Sequence, residues 1–108
     1  MTDLDLCYMT ASDALQRYRD GSLSPLEATK AQLDRLDAVE PKINAFMTRD
    51  HETALSEAKA SQERWAAGSP AGPLDGITVT IKDLIPMKDR PLRNGTATSD
   101  DTPCDVDA

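Results

Sequence analysis

Lys82 is the residue whose type and position ask most for a chemical explanation. It closes the stretch Gly72-Pro73-Leu74-Asp75-Gly76-Ile77-Thr78-Val79-Thr80-Ile81-Lys82-Asp83. Glycine and proline mark a turn, and a short β-branched run follows. In that run Ile77, Val79 and Ile81 share one face, and Thr78, Thr80 and Lys82 share the other. A strand covered on both faces would enclose Lys82. An enclosed lysine is costly unless it is paired, or neutral with a chemical job. Other reactive types read more simply. His51 adjoins the N-cap Asp50 and is expected to be an exposed helix residue. Ser24 is explained by helix capping. Asp83 is read either as a partner of a site at Lys82 or as a solvated cap after the strand. Cys7 and Cys104 have no metal-ligand spacing and read as free thiols. The acidic end from Asp100 to Asp107 has no calcium-loop pattern.

The elements that must position Lys82 are largely helical. Thr10-Ala11-Ser12-Asp13 opens a helix over about 11–20, with Ala14, Leu15 and Tyr18 at helical spacing and Gly21 as its stop. Ser24-Pro25-Leu26-Glu27 has an N-cap serine, proline at N1 and an acid at N3. The helix it opens is expected over 25–39, with Leu26, Thr29, Leu33 and Leu36 in one stripe and Val39 at its edge. Pro41 should end it. Ile43-Asn44-Ala45-Phe46-Met47-Thr48 is readable as a short strand. Asp50 caps a third helix over 51–67, with Leu55, Ala58, Gln62 and Trp65 on one side and Gly68 as its close. Ser69-Pro70-Ala71-Gly72-Pro73 is a loop. After Pro86 no helical period remains, and Asn94-Gly95 reads as a turn. The fold class is therefore α/β: a helical region over 10–68, a loop over 69–76, the lysine-bearing strand over 77–83, and an irregular stretch over 84–108. A lone strand is marginal in water. Strand 77–83 must pair with 43–48 or with a sheet supplied from elsewhere.

Bulk properties set outer limits. At 108 residues the chain is one domain or part of one, and aromatic residues are only 4% of it. A chain of this size buries roughly 65% of its unfolded surface at best. Net charge is -7, the isoelectric point is near 4.5 and mean hydropathy is -0.50. That acidity argues against nucleic-acid binding and against docking on anionic membranes. The beginning, Met1-Thr2-Asp3-Leu4-Asp5, has neither the basic nor the apolar region of a signal peptide. No apolar run approaches the ~20 residues of a membrane span. A cytoplasmic protein is expected.

Several stretches, taken in order, resemble the N-terminal segment of the amidase signature family of Ser-Ser-Lys amidohydrolases. They are Leu23-Ser24-Pro25-Leu26-Glu27, Ile43-Asn44-Ala45-Phe46, Gly72-Pro73-Leu74, Leu92-Arg93-Asn94-Gly95-Thr96 and Asp107-Ala108. The strongest is Gly76-Ile77-Thr78-Val79-Thr80-Ile81-Lys82-Asp83-Leu84. The family includes general amidases and the amidase-type component of transfer-RNA-dependent amidotransferases. The resemblance implies a portion of the amidase fold: N-terminal helices plus the first strands of a mixed sheet. It implies a small-molecule amide substrate and no metal or organic cofactor. Only Lys82 maps onto the catalytic set, as the general base acting through a relay serine on a nucleophilic serine. A lysine has an unperturbed pKa of ~10.4, so a base role requires burial to make it neutral.

The chain departs from the family pattern at Thr78, where proline is usual, and at Asp75, where histidine is frequent; neither difference alters the expected strand. The serines are Ser12, Ser22, Ser24, Ser56, Ser61, Ser69 and Ser99, and none lies in a glycine-rich loop. The 108 residues alone are therefore expected to be inactive. The alternatives are a stand-alone helical interaction or dimerisation module, acting as a homodimer, and one part of a split amidase or amidotransferase component completed by a second polypeptide.

Overall fold

The computed structural model describes residues 1–92 and 102–108. It divides into two compact units, Met1–Thr78 and Val79–Ala108. The turn expected at Asn94-Gly95 lies outside the described residues.

The first unit is built from α1 (Asp3–Tyr8), α2 (Ala11–Asp20), α3 (Pro25–Ile43) and α4 (His51–Ala66). Each start follows from a side chain that satisfies an otherwise unbonded amide. Thr10 accepts from the Asp13 amide at 3.1 Å, Ser24 from Glu27 at 3.1 Å and Asp50 from Thr53 at 3.0 Å. Gly21 (φ 80°) and Gly68 (φ 72°) take the left-handed conformation just past α2 and α4. The three expected helices are thus present, α2 and α4 at nearly the expected bounds. Helix α1 is an addition to them. Its signal is a capping box in which Thr2 and Asp5 bond each other's amides.

Two expectations about α3 are corrected. The helix does not stop before Pro41 but runs through it to Ile43. Proline removes one amide bond, but other bonds secure this final turn. Asn44, at φ 48°, donates its amide to the Glu40 carbonyl at 2.7 Å. The buried Glu40 carboxylate accepts from the amides of Ala45 and Phe46. The stretch 43–48 is accordingly a helix end and a capped turn, not a strand. The buried face of α3 also differs from the leucine stripe. Pro25, Ala28, Thr29, Ala31 and Glu40 are buried, whereas Leu26, Leu33 and Leu36 are half-buried. Small side chains let neighbouring backbones approach closely. Helix α3 packs against both α1 and α4.

The core joins Leu6, Ala14, Leu15, Tyr18, Leu23, Ala28 and Ala31, with Met9, Trp65 and Ile77 against it. At the α3–α4 junction, His51 Nε2 lies 2.8 Å from Asp37 Oδ1. His51 is therefore a half-buried bridge between helices rather than a fully exposed residue.

In the second unit the backbone turns at 87–90 and meets 103–108. Asp89 donates its amide to the Cys104 carbonyl at 2.9 Å, and Cys104 donates to the Arg90 carbonyl at 2.9 Å. Isolated bridges join Lys88 to Cys104 and Pro91 to Pro103. The Lys88 amide donates to Asp107 Oδ1 at 2.7 Å. Neither 77–83 nor any other stretch forms a strand among the described residues. The helical half of the expected α/β class is present, and its first strands are not seen among the described residues. Extended backbone becomes a strand only when a neighbour completes its hydrogen bonds.

Candidate functional site

Lys82 is not enclosed. It is exposed in a non-helical segment of the second unit, and its carbonyl accepts from the Ile85 amide at 3.0 Å. The alternation that suggested enclosure breaks after Ile77. Ile77 packs on the helical core, but Val79 is 77% exposed and Ile81 47%. Without sheet neighbours the face meant to be covered stays in solvent. Asp83, adjacent in sequence, is half-buried.

The organised chemistry in the first unit centres on Asp75, a residue to which sequence spacing assigns no role. Asp75 Oδ1 accepts from Ser61 Oγ at 2.8 Å and from an Arg64 NH₂ group at 2.6 Å. Its Oδ2 accepts from Arg64 Nε at 2.7 Å and from the Ala71 amide at 2.8 Å. The two-pronged arginine contact is the strong geometry for a carboxylate. The Asp75 side chain is 5% exposed and that of Arg64 41%. The Arg64 bonds foremost, with the Ala71 amide and the Ser61 hydroxyl, hold the Asp75 carboxyl well below the usual carboxylate range, against burial, which pushes it up.

The backbone beside Asp75 is held just as closely. Trp65 Nε1 donates to the Asp75 carbonyl at 3.0 Å. Tyr18 donates its hydroxyl to the Gly76 carbonyl at 3.1 Å, and burial pushes that phenol up. The two rings pack at 6.0 Å with a tilt of 51°. Gly76 has φ 91°, and a Cβ there would lie 2.8 Å from both Pro25 Cγ and Ser61 Oγ. Only glycine meets both demands. Thr78 donates its hydroxyl to the Gln32 side chain.

This cluster binds the chain; it does not present a reacting group. Ser61 is fully buried, and its hydroxyl is engaged by Asp75. A cavity of about 230 Å³ beside the core is lined by Leu6, Met9, Tyr18, Leu23 and Ile77, with Thr78 at its polar edge. Its lining brings together no base and nucleophile. Cys7 and Cys104 are free thiols. Cys7 donates weakly to the Ala31 carbonyl at 3.5 Å, and burial pushes its thiol up. Among the described residues no cluster of three or more His, Cys, Asp or Glu side chains could hold a metal ion, and no helix is long and apolar enough to cross a membrane.

The sequence pattern that defines the family described as Amidase matches residues 27–108. The chain belongs to the amidase family. Among curated relatives, it is 39% identical over 92 residues to the A subunit of the glutamyl-tRNA(Gln) amidotransferase of Salinispora arenicola, covering 85% of this chain and 19% of that protein. It is 42% identical over 85 residues to the protein of that name from Geobacter metallireducens, covering 79% and 17%. It is 35% identical over 95 residues to an acylamidase of Rhodococcus erythropolis, covering 88% and 20%. The chain thus spans about a fifth of the length of these relatives.

Proposed function

We propose that this chain is the N-terminal portion of an enzyme that cleaves carboxylic amide C–N bonds, and that Lys82 is its general base. The family match running through Lys82 carries the reading. In the intact site a covered sheet would surround the lysine and lower its pKa, making it neutral. The neutral amine would take the proton of a relay serine, which in turn deprotonates the nucleophilic serine. That oxygen attacks the amide carbonyl, backbone N–H groups hold the oxyanion, and the relayed proton returns to the leaving nitrogen. The nucleophile and the relay serine lie outside the serines of this chain. Both hydrolysis of an amide and transfer of its nitrogen fit this chemistry, as the acylamidase and the amidotransferase components among the relatives illustrate.

The purified 108 residues, assayed against simple aryl and aliphatic amides, should show no turnover. The protein that also carries a glycine-serine nucleophile loop should hydrolyse them. Turnover by the 108 residues alone that disappears on Lys82→Ala would overturn the proposed division of the site.

A further inference from the structure

Lys82 opens a hydrogen-bonded turn within the unit Val79–Ala108: its carbonyl accepts from the Ile85 amide at 3.0 Å. The Cα atoms at the two ends of such a turn lie within ~7 Å of each other. Pro86 follows Ile85 directly and adds one ~3.8 Å step, so the Cα atoms of Lys82 and Pro86 are within ~11 Å. From Pro86 onward the same unit's stretch 103–108 binds the chain. Ala108 donates its amide to the Pro86 carbonyl at 2.9 Å, and Asp107 Oδ1 accepts from the Lys88 amide at 2.7 Å. Further along, Cys104 accepts from the Asp89 amide and donates to the Arg90 carbonyl, each at 2.9 Å. In this set the Asp107 carboxylate is a side-chain partner and the others are backbone, so it is the bond that a substitution removes cleanly.

We propose that Asp107 is a positioning residue for Lys82, an inference that rests on the reading of Lys82 as the base. Its carboxylate pins the Lys88 amide, and the neighbouring Ala108 amide pins the Pro86 carbonyl. Together they fix the stem from which the Lys82 turn rises. A bond from an amide to a carboxylate is stronger than one to a neutral acceptor. A general base has to lie within hydrogen-bond reach of the proton it takes, and a small misplacement costs rate. With Asp107 removed, the stem keeps its backbone bonds but loses its charged anchor, and the turn closed by Ile85 loosens with it.

The structural half of the test is amide hydrogen exchange on the whole chain, comparing native protein with Asp107→Ala and Asp107→Asn. In Asp107→Ala the Ile85 amide, which closes the Lys82 turn, should exchange at least about 10-fold faster, while amides inside α2, α3 and α4 are unchanged. Asp107→Asn keeps an oxygen acceptor in place and should hold the Ile85 amide within about 3-fold of native. Unchanged Ile85 exchange in Asp107→Ala, whatever happens at Lys88, would confine the bond to its own loop and overturn the proposal.

In the amide-cleaving protein, Asp107→Ala should lower kcat per folded enzyme about 10-fold with KM little changed, and Asp107→Asn should restore most of the loss. Equal loss in both variants would mean that the charge acts rather than the bond, and would overturn positioning. A loss explained entirely by a smaller folded fraction would mean a structural role only and would overturn it too. Full turnover by Lys82→Ala would reject the base reading, and this inference with it. Turnover that depends on Lys82 while Asp107→Ala keeps its native kcat would reject this inference alone.

Discussion

The two units of this chain solve the same problem with unequal means. In Met1–Thr78 nearly every turn has a named partner: a capping hydroxyl, a left-handed glycine or a carboxylate aimed at amides. Its core is assembled from small alanines and a few large side chains. Among the described residues of Val79–Ala108, backbone bonds join Asp89 and Arg90 to Cys104, and the Lys88 amide donates to Asp107. There Val79, Ile81, Leu84, Ile85, Met87 and Val106 are all at least 42% exposed. A helix closes its hydrogen bonds within itself, whereas a strand depends on neighbours. The contrast teaches that helical signals act locally, while the lysine-bearing segment requires a sheet to become what its sequence describes.

Substitutions should expose this inequality. Gly76→Ala should have the largest effect, about 3 kcal/mol, because it combines a positive φ with a Cβ forced against Pro25 and Ser61. Urea unfolding followed by Trp65 emission would read it directly. A cost near zero would mean that the loop is not seated against α3 and α4. Asp75→Ala should cost about 2 kcal/mol, less than a fully buried pair because Arg64 is half exposed.

Acid should act on the same bond. The Asp75 carboxyl is held down in the folded state, so its contribution is complete above the unfolded value of ~3.9 and is lost as pH falls through the folded value. Stability of the native chain should therefore decline below about pH 4, and Asp75→Ala should flatten that part of the slope in thermal melts collected across pH. Tyr18→Phe should cost about 1 kcal/mol by removing the donor to the Gly76 carbonyl. Asp107→Ala, at an exposed residue of the second unit, should change the main unfolding transition by less than about 0.5 kcal/mol. A large effect there would erase the contrast between the units.

Much of the helical fold is legible in the sequence because capping chemistry is written within four residues. Thr10, Ser24 and Asp50 each announce a helix that forms. The Thr2–Asp5 box is equally local, but less conspicuous because aspartate stands where glutamate is the familiar partner. Glu40 is harder to see: its carboxylate works only after the chain has turned at Asn44, and it carries α3 past Pro41. Asp75 is invisible to spacing. Its partners Ser61 and Arg64 lie 14 and 11 residues away, and their convergence depends on α4 meeting the loop. Gly76 carries a usable signal as a glycine directly after an aspartate, but not the identity of what crowds it. The alternation at 77–82 is real as a pattern. It holds no information about whether neighbouring strands are present to enforce it.

Everything proposed for the second unit turns on whether Lys82 is the base of an amide-cleaving site. The most direct measurement is kcat/KM for a simple aryl amide in the amide-cleaving protein, comparing native enzyme with Lys82→Ala at matched folded concentration. A loss of at least about 100-fold is expected, within the range typical for removing a general base. A Lys82→Ala enzyme that keeps its native kcat/KM and its native pH profile would contradict that assignment.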